Sequence, residues 1–355
     1  MPQAEPILAS TLWTFHLAAS TKSPPTTPGK LAIGISDVDT ALAGGLEYGR
    51  ITAISADPSS GDAQLLSHAL LVSHLLASEG NVATVIDSTL AFDLKSLHQR
   101  LVNALQDGVD GKVMEALDWL KIMKVFDFVG LTECIGEVRE GLDDGKGEER
   151  HATASMRENR TRTTGPRGTV SDSEDDGNEV VSPPKPCKSS APVQPDVRKP
   201  SQHLLVIDNI AQLVAPLLKN NHAQGQALLK TFMRSLSHLT KRHNICTVLF
   251  NNTTIYAASK EESPSIFSSC AQRPAFGKAF TYALDVHLLV HTVPKTAEDA
   301  RAVYGGVEHG KEKGGVQMVS VMEVLQDRYE GRMGRWAAFS EMSPDVRERN
   351  VVRAG

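Results

Sequence analysis

The sequence predicts an α/β protein with a mainly parallel sheet covered by helices on both faces, and three observations carry that expectation. Ile51 to Ile54 is a short β-branched strand, followed by a tight turn, a leucine-rich helical run and a second strand, Val82 to Asp87. His203 to Asp208 and Ile245 to Phe250 are further strands of the same kind, with a long amphipathic helical segment between them. All four runs are apolar throughout rather than alternating, as required of strands buried on both faces of a βαβ-built sheet.

The elements follow in order. After Ile54 the turn leads to Leu65, Leu66, Ala69, Leu70, Leu71, Val72, Leu75 and Leu76, a buried helix that stops at Gly80. Strand, turn, helix and strand complete one βαβ unit. The turn itself has the layout of a phosphate-binding loop, G-x-x-x-x-G-K-[ST], whose backbone N–H groups cradle phosphate, whose Lys reaches it and whose hydroxyl holds magnesium. Here Ala56 stands at the first glycine, Asp57, Pro58, Ser59 and Ser60 fill the loop, Gly61 is kept, Asp62 and Ala63 replace Lys and Ser/Thr, and Gln64 follows. Negative charge is favoured at a helix N-terminus, so Asp62 is expected to bond the N–H groups that would otherwise hold phosphate, as a built-in plug. A carboxylate ~4 Å from a phosphate oxygen costs about 4 kcal/mol at an effective dielectric near 20, which removes on the order of a thousandfold in ATP affinity.

Asp87 and Asp208 end their strands where P-loop enzymes place the carboxylate that orients magnesium, and where an Asp equally serves to cap a turn. From about Ala223 to His243, Leu228, Leu229, Phe232, Met233, Leu236 and Leu239 keep the spacing of one buried helical face. The strand Ile245 to Phe250 runs into Asn251-Asn252-Thr253-Thr254, polar residues at the strand end where open α/β sheets bind ligands. Ile255 to Gln272 reads as a loop, Leu284 to Val290 as a strand, and Val316 to Phe339 as a closing β-hairpin or meander.

Composition narrows the class. The 355 residues are 41% hydrophobic, enough for a sizeable core, and contain no apolar run of ~18 residues that would span a membrane. A formal net charge of −5 argues against coating nucleic acid by bulk charge, so any DNA contact is expected to be local. Cys134, Cys187, Cys246 and Cys270 show no metal-ligand spacing and read as reduced thiols. Residues 141–202 are rich in Ser, Pro, Gly and charge, include the acidic run Ser171-Asp-Ser-Glu-Asp-Asp176, and read as a disordered insertion within one domain.

The order of these elements and several local strings resemble the core of the RecA-type recombinases, most closely the eukaryotic recombinase paralogues, with the delta type nearest. The strings are Ile33-Gly-Ile-Ser36, Leu42-Ala-Gly-Gly-Leu46, Gly49-Arg-Ile-Thr-Ala-Ile54, Lys124-Val-Phe-Asp127, Leu205-Val-Ile-Asp208, Ala215-Pro-Leu-Leu218, Arg242-His-Asn-Ile245, Asn251-Asn252 and Arg273-Pro-Ala-Phe-Gly-Lys278. The resemblance implies a RecA-like P-loop ATPase core over 31–340, a short N-terminal extension 1–30 and a tail 341–355. It further implies ATP and magnesium as cofactors, Asp208 as the magnesium-side carboxylate, Asn251 as the sensor beside it, and Lys260, Arg273 and Lys278 as DNA contacts. A family member of this kind works in homologous recombination in the nucleus, with other paralogues or the recombinase as partners and single-stranded DNA as a further one.

The departures point away from hydrolysis. No carboxylate stands in Asp87-Ser88-Thr89 at the offset of the family's water-activating Glu. The expected function is therefore a recombinase paralogue that assists filament assembly without hydrolysing ATP itself. An active DNA-dependent ATPase that borrows catalytic groups, and a scaffold that has lost both nucleotide and DNA, are the alternatives.

Overall fold

The computed structural model describes residues 29–105, 110–158, 201–255, 264–304 and 316–340. The chain divides into two units, residues 1–136 with 201–355, and residues 137–200.

In the first unit, β1 (Lys30–Leu31) pairs antiparallel with β2 (Leu46–Glu47) around helix α1 (Ser36–Ala41). Gly45 is obligatory there, because its φ is +118° and a Cβ would lie 2.2 Å from the Leu31 carbonyl oxygen. The βαβ unit consists of β3 (Ile51–Ala56), α2 (Asp62–Ala77) and β4 (Val82–Asp87), each where the apolar pattern puts it. Next come α3 (Leu94–Ala104), α4 (Asp110–Asp118), β5 (Leu120–Lys124) and α5 (Phe128–Glu158), which carries the chain out of this unit at Gly136. After 201 the chain forms β6 (His203–Asp208), α6 (Ile210–Asn220), α7 (His222–His243), β7 (Cys246–Ile255), β8 (Gln272–Pro274) and the short α8 (Gly277–Thr281). It closes with β9 (Val286–Pro294), α9 (Ala297–Tyr304), β10 (Met318–Asp327) and β11 (Trp336–Phe339).

The main sheet runs β5-β4-β6-β7-β3-β9-β10-β11. From β5 to β9 all neighbours are parallel, while β10 and β11 add an antiparallel meander, within the Val316 to Phe339 segment expected to close the sheet. The protein is thus α/β, with a mostly parallel sheet flanked by helices. Every residue of β3 is buried, so both faces of this strand are covered. Among the described residues no helix is long and apolar enough to cross a membrane.

Three differences from the sequence reading have physical causes. β7 continues through Asn251 to Ile255 because β8 pairs with its far end, Thr254 opposite Arg273. α6 forms despite Pro216, with Asn209 capping it by accepting from the Ala211 N–H at 2.8 Å. Helix α5 reaches Glu158, so 141–158 of the segment read as disordered is helical, consistent with the Glu, Arg, Lys and Ala it carries. The rest of that segment, together with 1–28 and 341–355, lies outside the described residues.

A buried ion network fastens the meander to the first strand pair. Arg332, 1% exposed in the turn after β10, holds Asp327 at 2.7 Å and Glu47 at 2.8 Å, and donates to the Leu42 carbonyl. Lys30 and Arg50 join it through Glu330 and Glu47, and the Arg50 guanidinium lies 4.4 Å from the centre of the Tyr329 ring. Because Glu47 is fully buried, the guanidinium offsets a desolvation cost that no solvent shares.

Candidate functional site

The C-terminal ends of β3, β4, β6 and β7 bring the sequence-predicted residues to one edge of the sheet, apart from the DNA candidates. The loop after β3 is folded on its own side chains. Asp57 accepts from the Ser59 N–H at 2.9 Å and the Ser59 hydroxyl at 2.7 Å, and its own carbonyl accepts from the Ser60 N–H and hydroxyl. The Ser60 hydroxyl in turn accepts from the Asp62 N–H at 3.3 Å. These bonds to Ser59 hold the Asp57 carboxyl below its ordinary value. Gly61 supplies the left-handed turn into α2 with φ +75°, and Pro58, Ser59, Ser60 and Gln64 are exposed.

Asp62 does not act as the plug expected from its position. Its carboxylate turns away from the loop and accepts from the Ser320 hydroxyl of β10 at 2.7 Å. The internal carboxylate of the loop is Asp57, which also takes the Gln272 amide of β8 at 3.4 Å. Sequence reasoning assigned the interaction to the wrong aspartate because dipole arguments locate a charge without giving the direction of its side chain. Ala63 follows in the first turn of α2 with no hydroxyl to offer a metal. Beside the loop lies a polar depression of about 470 Å³, lined among others by Gly61, Asp62, His68, Asp93, Arg100 and Ser320. Burial pushes the His68 imidazole down to about 4, so it is neutral at physiological pH.

The two strand-end carboxylates separate clearly. Asp87 accepts from the Thr89 N–H and hydroxyl, the Leu90 N–H and the Phe92 N–H, so both its oxygens serve the turn after β4. Asp208 lies opposite it in the parallel register, and among the described residues no side chain or N–H donates to its carboxylate. Burial first, and the Asp87 charge second, push Asp208 up to about 6. Next to it, Asn209 donates to the Asn252 side chain at 2.6 Å, and its peptide N–H and carbonyl are both bonded by the Ser88 hydroxyl.

Asn251 sits one strand away and is 1% exposed. Its amide donates to the Ser55 hydroxyl at 3.1 Å and to the Ala275 carbonyl, while its Oδ1 has no protein partner. Ser55 continues to His287 Nε2 at 2.9 Å, and His287 Nδ1 lies 3.2 Å from the Thr281 hydroxyl. This buried chain links β3, β7, β9 and α8, with His287 kept neutral by burial, its pKa lowered to about 4. Ser55, Thr281 and His287 carried no sequence signal, since each is a single polar residue in or beside an apolar run.

Of the DNA candidates, Lys260 lies outside the described residues, Arg273 on β8 is engaged within the fold, and Lys278 is exposed on α8. The described end of the 255–272 segment is anchored on the meander. Glu323, 1% exposed, accepts from the Ser265 hydroxyl at 2.6 Å and the Ile266 N–H at 2.7 Å. Phe267 packs edge-on against His291 and Trp336. Neither ring nitrogen of His291 has a hydrogen-bond partner, and Nε2 lies 3.9 Å from the Glu323 carboxylate.

ATP with magnesium does not fit this donor set. The position of the cation is a carboxylate, the hydroxyl is a methyl, Asp57 already takes a loop N–H, and Asp87 spends both its oxygens on the turn after β4. Among the described residues no group of three or more His, Cys, Asp or Glu side chains is placed to hold a metal ion. Among the described residues Cys134, Cys246 and Cys270 form no disulfide, and burial raises the Cys270 thiol above its ordinary value. No protein-family model matches the chain.

Proposed function

We propose that this chain is a RecA-fold subunit of the recombinase-paralogue type, working in homologous-recombination DNA repair in the nucleus without hydrolysing ATP itself. In this reading it joins other paralogues or the recombinase and helps filament assembly on single-stranded DNA. One observation carries the reading. A turn in the phosphate-loop position, between a fully buried central strand and its helix, carries Asp62 and Ala63 in place of the cation and the hydroxyl, and bonds the Ser59, Ser60 and Asp62 N–H groups within itself. Such a turn keeps the architecture of a nucleotide-binding fold while making the fold independent of nucleotide. Asp208, to which no described residue donates at the end of β6, two strands away, supports descent from a metal-assisted site.

The test is filament assembly by a RecA-type recombinase on fluorescent single-stranded DNA, with and without the purified chain, alongside phosphate release by the chain alone. Faster or more persistent assembly with no phosphate release above background is the expected result. DNA-stimulated phosphate release by the chain alone would overturn the non-hydrolysing reading. Unchanged assembly, with no co-purification of any paralogue, would overturn the recombinase-partner reading.

A further inference from the structure

A groove of about 550 Å³ lies between α7 and the segment around α8, away from the loop after β3. Leu229, Met233 and Phe280, all buried, form its floor, and Tyr282, 70% exposed, stands at its edge. Lys230 and Arg234, one helical turn apart on α7, line one bank, and Arg328 from the turn after β10 lines the other. Arg328 is steadied by the Tyr282 carbonyl and lies 3.9 Å from Asp285. Lys230 and Arg234 form no ion pair with any described residue, and no carboxylate lines the groove. The whole of α7, 22 residues, contains no Asp or Glu, although the chain carries a net charge of −5.

We propose that this groove docks an acidic peptide segment of a partner protein, with one or two large apolar side chains seated between Lys230 and Arg234 on one bank and Arg328 on the other. Three observations select this occupant. The volume is that of a side-chain pocket rather than a flat face. Its floor is apolar and its banks are cationic, which matches a segment that alternates apolar anchors with carboxylates. An exposed tyrosine and two arginines are the residue types that concentrate binding energy at protein interfaces. A nucleic-acid strand fits the geometry less well. Bases stack on several exposed aromatic side chains along a continuous basic track, and here Tyr282 is the one exposed aromatic lining the groove, Phe280 being buried in its floor.

The experiment is selection of a random 12-residue display library against the full chain, followed by fluorescence anisotropy with the winning peptides. A single-stranded oligonucleotide is titrated in parallel. Enriched peptides should carry Asp or Glu around Leu, Phe or Met, and their affinity should fall as salt rises. The charge-reversed pair Lys230→Glu, Arg234→Glu should weaken them at least tenfold. Ala227→Trp, which fills the groove from the exposed side of α7, should weaken them without altering charge. All the substituted positions are exposed, and unchanged thermal unfolding would show that the variants fold. The proposal fails if no acidic consensus emerges, if both variants bind the peptides as well as the parent, or if charge reversal costs oligonucleotide binding and leaves peptide binding intact.

Discussion

On the proposed reading, placing phosphate-loop residues in the turn after β3 should give nucleotide binding, and the charge change at position 62 sets the size of the effect. In the parent chain Asp62 occupies the cation position and Asp57 holds the Ser59 N–H, so titration with magnesium and ATP should give no heat up to millimolar nucleotide. Were the Asp62 carboxylate to face a phosphate in the loop at ~4 Å, it would cost about 4 kcal/mol at an effective dielectric near 20, and Asp62→Lys removes that repulsion. Partial exposure at the start of α2 reduces that by roughly half. Ala63→Thr adds a hydrogen bond involving a charged group, about 1.5–3 kcal/mol. Together they amount to about 4 kcal/mol, close to three orders of magnitude in affinity, which brings binding into the micromolar range. Adding Asp57→Ala frees the Ser59 N–H and should gain about another 1 kcal/mol, roughly fivefold. Calorimetric titration of the parent, double and triple variants, each checked by thermal unfolding, reads all three steps. Micromolar binding by the parent, or a folded triple variant that stays silent, would refute the account of this loop.

Other perturbations probe the supports of the site. Burial raises Asp208 from 3.8 to about 6, so the folded state binds more protons than the unfolded chain between those values and loses stability as pH rises through them, by about 3 kcal/mol in all. Asp208→Asn should therefore stabilise the protein at pH 7 by up to that amount and have no effect near pH 3, as read by urea unfolding at both values. Arg332→Met removes the closest cation from buried Glu47 and Asp327 and should cost about 3 kcal/mol in the same assay; a loss under about 1 kcal/mol would show that Lys30 and Arg50 make the network redundant. Glu323→Ala removes both anchors of Ser265 and Ile266, so brief chymotrypsin digestion should cut after Phe267 faster than in the parent, with global stability falling by no more than about 3 kcal/mol.

How much of this was legible depended on the range of the interactions involved. β3, β4, β6, β9 and α7 were readable because burial on both faces, or on one helical stripe, writes a local pattern into consecutive residues. The short α3 and α4 and the strand β5 were not. β5 reads Leu-Lys-Ile-Met-Lys, an edge strand with two lysines and no fully buried residue, and α3 buries only Leu97 and Leu101. At the site, the position of the turn between β3 and α2 was plain, and the turn-capping role of Asp87 was one of the two readings open from its place at a strand end. The partners were not visible. Ser320 lies 258 residues from Asp62, and Arg332 lies 285 from Glu47. Contacts of that separation are fixed by the register of β9, β10 and β11, which no single-sequence pattern encodes.

The two aspartates of the loop do different work, and on the proposed reading this bears on how a turn in the phosphate-loop position folds without an anion. A bound anion would satisfy the loop N–H groups and tie the start of the helix to its surroundings. Here Asp57 takes one of those N–H groups, that of Ser59, and reaches Gln272 on β8, while Asp62 ties the helix start by bonding Ser320 on β10. The start of α2 is thereby tied to the β7/β8 ladder on one side and to the antiparallel meander on the other, using only groups the chain carries. Asp57 and Asp62 are then not simply lost binding residues. Replacing either by Ala, without restoring the cation, should loosen the loop without admitting nucleotide, and amide hydrogen exchange of residues 59–64 should quicken in each variant while ATP still gives no heat. If exchange there is unchanged, the loop is held by its backbone alone and the substitutions at 57 and 62 are mere loss.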